Sequence, residues 1–125
     1  MVAVLLFSGC SEKIGTEQEA EKNMYMQITV AEAKKMMDEQ EGILILDVRE
    51  QNEYNEGHIP GAVLLPVGTI SEDTAAAVIE NKNTIALVYC RSGNRSKTAA
   101  QALADLGYTQ VYEFGGIRDW PYAVE

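Results

Sequence analysis

Cys90 follows the apolar run Thr84–Tyr89 and precedes Arg91-Ser92-Gly93-Asn94-Arg95. This order predicts a strand, a tight turn and a helix start. Successive backbone N–H groups in such a turn converge on one point, forming a nest for an anion. The helix N-terminus adds the equivalent of roughly half a positive charge. Gly93 and Asn94 suit the left-handed backbone conformations that a tight cradle needs. Arg91, Arg95 and Lys97 add cationic side chains, and no acid occurs between Cys90 and Asp105. A thiol in that setting ionises readily, and the thiolate is the nucleophile. The ordinary alternative is an inert cysteine packed at a strand end. A glycine-containing, doubly basic loop that opens a helix argues for the reactive one.

The rest of the chain supplies elements to hold that loop. Tyr25–Ile28, Ile43–Leu46, Ala62–Leu65, Thr84–Tyr89 and Val111–Phe114 are apolar, β-rich segments. Ile43–Leu46 and Thr84–Tyr89 run without alternation, as strands buried on both faces do. Thr29-Val30-Ala31-Glu32 fits a capping box, and Val30, Ala33 and Met37 continue at helical spacing towards a stop at Gly42. Glu50–Glu56 reads as a short helix, Ser71 as the cap of a helix through Ile79, and Ser96–Leu106 as a helix closed by Gly107. Ile117–Trp120 reads as a last helical turn. This alternation predicts an α/β domain of three layers, a mainly parallel five-stranded sheet with helices on both faces. Sites in such sheets form beyond the carboxyl ends of the strands.

Composition narrows the chemistry. The chain has 125 residues, a 46% hydrophobic content and a formal net charge of −9. That suits one globular domain and argues against a nucleic-acid partner, which needs a basic surface. Two cysteines and one histidine make neither a disulfide framework nor a closed zinc site, so no metal is expected. A compact single domain makes a monomer the default expectation.

The chain divides at residue 23. Residues 1–23 contain a short apolar run, Cys10 and then the polar stretch Ser11–Asn23, rich in Glu. Leu6-Phe7-Ser8-Gly9-Cys10 resembles a bacterial lipoprotein lipobox, although no Lys or Arg precedes the run and Phe7 stands where the motif prefers Leu. The resemblance implies a signal segment, lipidation of Cys10 and an extracytoplasmic protein, anchored by lipid alone at a bacterial membrane in the periplasm or at the cell surface. Ser11–Asn23 would then be a flexible acidic tether. Residues 24–125 form the folded domain.

Three motifs of that domain, in order, resemble the rhodanese (thiosulfate sulfurtransferase) family. They are Leu46-Asp47-Val48-Arg49-Glu50 with Gly57-His58-Ile59-Pro60-Gly61-Ala62, then Cys90-Arg91-Ser92-Gly93-Asn94-Arg95-Ser96, then Gly115-Gly116-Ile117-Arg118-Asp119-Trp120. The similarity runs from about Tyr25 to the C-terminus. It implies that Cys90 takes the outer sulfur of a small-molecule donor such as thiosulfate and passes it, as a persulfide, to a thiophilic acceptor, either a small molecule or a protein. The amides from Arg91 through Ser92, Gly93 and Asn94 to Arg95 would cradle the sulfur. Arg91 and Arg95 would hold the donor's oxyanion. Ser96 would support the loop, and no cofactor is required. Asp47 and Arg49 are expected to pair and brace the loop, with a place on the site's rim as the alternative. His58, in a Gly/Pro turn, is expected to stabilise that turn. Arg118 and Trp120 are expected near the site's edge, Trp120 as core.

Rival classes share parts of this pattern. Cys-dependent phosphatases and arsenate reductases use a loop one residue longer between Cys and Arg, and here Ser96 occupies the position of that Arg. A thioredoxin-like oxidoreductase needs C-x-x-C, which is absent from the sequence. A persulfide carrier or a binding module on the same fold would keep the same residues. A Cys10–Cys90 disulfide conflicts with both lipidation and catalysis.

Overall fold

The computed structural model describes residues 24–125. The expectations for residues 1–23, lipidation of Cys10 included, lie outside the described residues. In chain order the elements are β1 (Met26–Gln27), α1 (Val30–Glu39), β2 (Leu44–Asp47), α2 (Gln51–Glu56), β3 (Val63–Leu64), α3 (Glu72–Val78), β4 (Ala86–Cys90), α4 (Asn94–Asp105) and β5 (Val111–Gly116). Single 3-10 turns cover Val67–Thr69 and Ile117–Asp119.

The caps explain where helices begin. Thr29 Oγ1 accepts from the Glu32 amide at 3.0 Å, and Glu32 accepts from the Thr29 amide at 2.8 Å. Ser71 and Thr74 repeat this reciprocal pattern at the start of α3. α1 stops at Glu39 with Gln40 as its cap, short of the expected Gly42, which instead turns the chain beyond the helix with φ of 76°. α4 starts at Asn94, two residues ahead of expectation, because Gly93 has a left-handed φ of 111° and serves as its N-cap.

The sheet has the order β1-β5-β4-β2-β3, and every neighbouring pair is parallel. The expected three-layer architecture is therefore present. β4 lies centrally and is buried throughout. Its side chains alternate between two cores. Ala86, Val88 and Cys90 join Leu46, Ala75, Ile79, Ala99 and Leu103 on the face covered by α3 and α4. Leu87 and Tyr89 join Ala33, Ile59, Phe114 and Trp120 on the face covered by α1. The nucleophile candidate and its preceding tyrosine thus belong to opposite faces of one strand.

The β4–β5 register slips between Val88 and Cys90. Val88 pairs with Glu113, whereas Cys90 pairs with Gly116. Irregularities of this kind end regular pairing and re-aim side chains beside functional sites.

Candidate active site

Cys90 is the last residue of β4 and is 1% exposed. The chain must turn immediately beyond it to enter α4. Two glycines permit that turn. Gly93 takes the left-handed conformation already noted. Gly116 lies so close to the loop that a Cβ there would overlap the Arg91 carbonyl. Asn94, also expected to be left-handed, is helical instead, because α4 has already begun; no described non-glycine residue has a positive φ.

The turn places hydrogen-bond donors on the sulfur. The Gly93 amide donates to Cys90 Sγ at 3.1 Å, and the thiol donates to Ser96 Oγ at 3.4 Å. Burial is the largest single influence on the thiol and opposes its ionisation. It is outweighed by the Ser96 hydroxyl and by the amides of Ser96, Gly93 and Ser92, so the Cys90 pKa is lowered. Of the expected cradle, Ser92 and Gly93 supply amides to the sulfur. The Ser96 hydroxyl lies 3.0 Å from the Gly93 carbonyl and 3.3 Å from that of Gly115.

The basic residues separate into two groups. Arg95 is held by an acid from another element. It makes a bidentate pair with Glu53 of α2, at 2.8 and 3.0 Å. That pair ties α2 to the loop. Arg91 is exposed and lines a cleft of about 410 Å³ together with Arg49, Glu53, Gly57, Ile117 and Arg118. The Arg118 amide donates to the Arg91 carbonyl at 3.1 Å, which fixes the two residues side by side. Lys97 is exposed on α4 and is not part of this cleft.

The Arg95 hydrogen bonds lower the Glu53 carboxyl from 4.5 to about 2, with burial opposing them. A carboxylate with a depressed folded-state pKa stabilises the fold fully above its unfolded value. That stabilisation is lost as pH falls through the folded value. The pair is partly solvated, so its worth is about 1 kcal/mol or less. Glu53→Gln is expected to lower the Tm at neutral pH. The deficit relative to the parent should close as pH falls from 4.5 to about 2. Thermal denaturation across that range checks it; a deficit unchanged with pH would contradict the pairing.

Asp47 and Arg49 pair as expected, but further from the loop. Arg49 Nε and Nη2 donate to the two Asp47 oxygens at 2.9 and 2.6 Å, and Arg49 Nη2 also reaches the Gly57 carbonyl at 2.7 Å. Tyr89 donates to Asp47 at 2.6 Å and accepts from the Ile59 amide at 3.1 Å. Burial first, and then the bond to Asp47, hold the Tyr89 phenol above its ordinary pKa, so it remains a donor. The pair therefore clamps β2 and the Gly57–Ile59 turn to Tyr89, the residue before Cys90. Arg49 meets the rim reading as well, since it lines the cleft.

His58 stacks on Tyr54 with ring centroids 3.8 Å apart, and its backbone pairs with Glu125 in both directions at 2.9 Å. These contacts stabilise the turn, as expected. Trp120 packs with Phe114 in the α1-side core.

The sequence reading missed Glu113. It is 2% exposed, and its Oε2 accepts from Ser96 Oγ at 2.5 Å and from the Gly115 amide at 2.9 Å. The signal was available: in Val111-Tyr112-Glu113-Phe114, alternation puts Glu113 on the Val111 face.

Among the described residues, no group of three or more His, Cys, Asp or Glu is arranged to hold a metal. The site is one buried sulfur, a set of N–H and O–H donors around it, and a cleft lined by Arg49, Arg91 and Arg118 together with Glu53 and Glu56. It suits nucleophilic attack on, and temporary storage of, a small electrophilic atom.

Comparison with known proteins gives a consistent picture. The family model described as a rhodanese-like domain matches residues 29–122. A thiosulfate sulfurtransferase of Coxiella burnetii is 37% identical over 98 residues, 78% of this chain and 88% of that protein. A Bacillus subtilis protein named as a sulfur carrier is 36% identical over 95 residues, 75% of this chain, and the match spans only 50% of that longer relative. Among solved structures, the rhodanese-like domain of an Anabaena protein superposes with a TM-score of 0.72 at 29% identity, covering 82% of this chain and 80% of that one.

Proposed function

This chain belongs to the rhodanese-like domain family, and from that membership we propose that it moves a sulfane sulfur from a donor such as thiosulfate to a thiophilic acceptor through a Cys90 persulfide. One observation carries the reading: the Cys90 sulfur is buried, accepts the Gly93 amide and has its pKa lowered at the N-terminus of α4. The names of the Coxiella burnetii and Bacillus subtilis relatives support the same chemistry.

The Cys90 sulfur, giving up its proton, attacks the outer sulfur of thiosulfate. A Cys90–sulfur bond forms, the donor's S–S bond breaks, and sulfite leaves with the electron pair. The cradle that stabilises a thiolate then stabilises the persulfide anion. An acceptor such as cyanide attacks the outer sulfur, and Cys90 returns to its resting form. Four residues separate Cys90 from Arg95, and Arg95 is engaged with Glu53, which suits a single sulfur better than a tetrahedral oxyanion.

The donor's anionic end goes to Arg91 and Arg118. Both are exposed and line the cleft, and guanidinium forks match a sulfonate. Losing one charged hydrogen bond costs about 1.5–3 kcal/mol. Arg91→Ala is therefore expected to raise the KM for thiosulfate roughly tenfold or more. Arg95→Ala should raise it less. Steady-state kinetics at varied thiosulfate decides this, and a KM more sensitive to Arg95 would reverse the assignment.

A persulfide carrier serving a protein acceptor would use the same residues, and the Bacillus subtilis relative's name favours keeping that reading. Mass spectrometry after thiosulfate treatment tests what both share. Cys90 should gain one sulfur, and an unmodified Cys90 would remove the reading. Turnover with free cyanide then separates the enzyme from the carrier.

A further inference from the structure

We propose that Glu113 takes and returns the Cys90 proton through Ser96, so that the buried site holds one negative charge throughout the sulfur-transfer cycle. The inference rests on the persulfide reading above.

The three groups form a chain across the α3/α4 face of the sheet. The Cys90 thiol donates to Ser96 Oγ at 3.4 Å, and Ser96 Oγ lies 2.5 Å from Glu113 Oε2. A serine hydroxyl has one proton to give. Of the three acceptors around it, Glu113 is the shortest, within the range of an O–H bond to a carboxylate. Cys90, Ser96 and Glu113 are 1%, 0% and 2% exposed.

Glu113 is also a buried carboxyl group with no ion-pair partner among the described residues. From β1, Gln27 Nε2 donates to its Oε1 at 3.2 Å; from β5, the Gly115 amide donates to Oε2; from α4, Ser96 does the same. The titratable group facing it is Cys90 on β4, across Ser96. Among the described residues no Lys or Arg pairs with Glu113, and Arg95, one residue before Ser96, is held by Glu53. A persulfide anion formed beside an ionised Glu113 would place two uncompensated charges one hydroxyl apart in a poorly screened interior.

Moving one proton avoids this. As Cys90 attacks, Ser96 passes its proton to Glu113 and receives the thiol proton. The hydrogen-bond chain then points the other way. Glu113 O–H donates to Ser96 Oγ, and the Ser96 hydroxyl donates to the anionic sulfur. Thiol, carboxylate and thiosulfate thus give persulfide anion, carboxylic acid and sulfite. When cyanide removes the outer sulfur, the proton returns. Persulfide anion, carboxylic acid and cyanide give thiol, carboxylate and thiocyanate. Charge and atoms balance in both halves without any further reactant.

Difference infrared spectroscopy tests this on the full chain. Spectra of resting and thiosulfate-loaded protein are subtracted, with mass spectrometry of the same samples. Loading should produce a protonated-carboxyl C=O band that disappears after cyanide. Glu113→Gln should lack the band, and so should Ser96→Ala, which keeps the carboxyl but cuts the path. Both variants should load Cys90 roughly 100-fold more slowly, the low end for a lost proton-transfer partner. One added sulfur on Cys90 without the band overturns the inference alone, as does a band that persists in Glu113→Gln. Failure of Cys90 to gain sulfur overturns the underlying reading instead. The parent measurement needs no variant, so misfolding of either substitution does not rescue the inference.

Discussion

Cys90→Ser lowers sulfur transfer from thiosulfate to cyanide by about 10⁴-fold or more, because the site's other groups bind and stabilise but form no bond to sulfur. Serine is close in size and can accept the Gly93 amide that Cys90 now accepts at 3.1 Å. The fold and the cleft should survive. The hydroxyl lacks the thiol's acidity, so the amides of Ser92, Gly93 and Ser96 have no anion to stabilise. Thiocyanate formation measures the loss, and far-UV circular dichroism checks the fold. A rate within tenfold of the parent would exclude Cys90 as the nucleophile.

Asp47→Ala should be the most damaging of the structural substitutions. Asp47 is fully buried and Arg49 is 5% exposed. Removing the carboxylate strands the guanidinium and leaves the Tyr89 hydroxyl without its acceptor. Breaking one side of a buried pair costs about 3–5 kcal/mol. For a domain of this size that lowers the Tm by roughly 12 °C or more. Urea unfolding with an unchanged m-value measures it; a loss below about 1 kcal/mol would show that water reaches the pair. Geometry alone does not set such values. Lys34–Asp38 is also 2.6 Å long, but Asp38 is 58% exposed, and exposed pairs of this spacing contribute about 0.5 kcal/mol or less.

What was legible in the sequence was local. The Cys90 loop announces itself within seven residues, because the strand, the glycine and the basic side chains are contiguous. The Thr29 and Ser71 caps are likewise properties of four neighbouring residues. Asp47 and Arg49 could be paired because both follow one buried strand, but their reach to Gly57 and Tyr89 could not. What was not legible were partners brought from afar. The Arg95 pair was invisible because Glu53 stands 42 residues away. The loop looked free of acid because Glu113 arrives from β5, 17 residues beyond Ser96. Charge counted along the chain therefore overstated the positive character of the site. Asn94 was misread for a smaller reason: its left-handed propensity was outweighed by the helix that begins at Asn94 itself, capped by Gly93.

The sheet's two margins have a consequence of their own. β1 and β3 are the outer strands, and each is two residues long. An outer strand's unsatisfied N–H and C=O groups are a template on which another chain can extend. Two residues offer almost no ladder for such growth. The long, apolar strand β4, whose exposure would seed fibrils, is enclosed between β5 and β2. The arrangement that buries the sulfur therefore also leaves only short edges for another chain to extend.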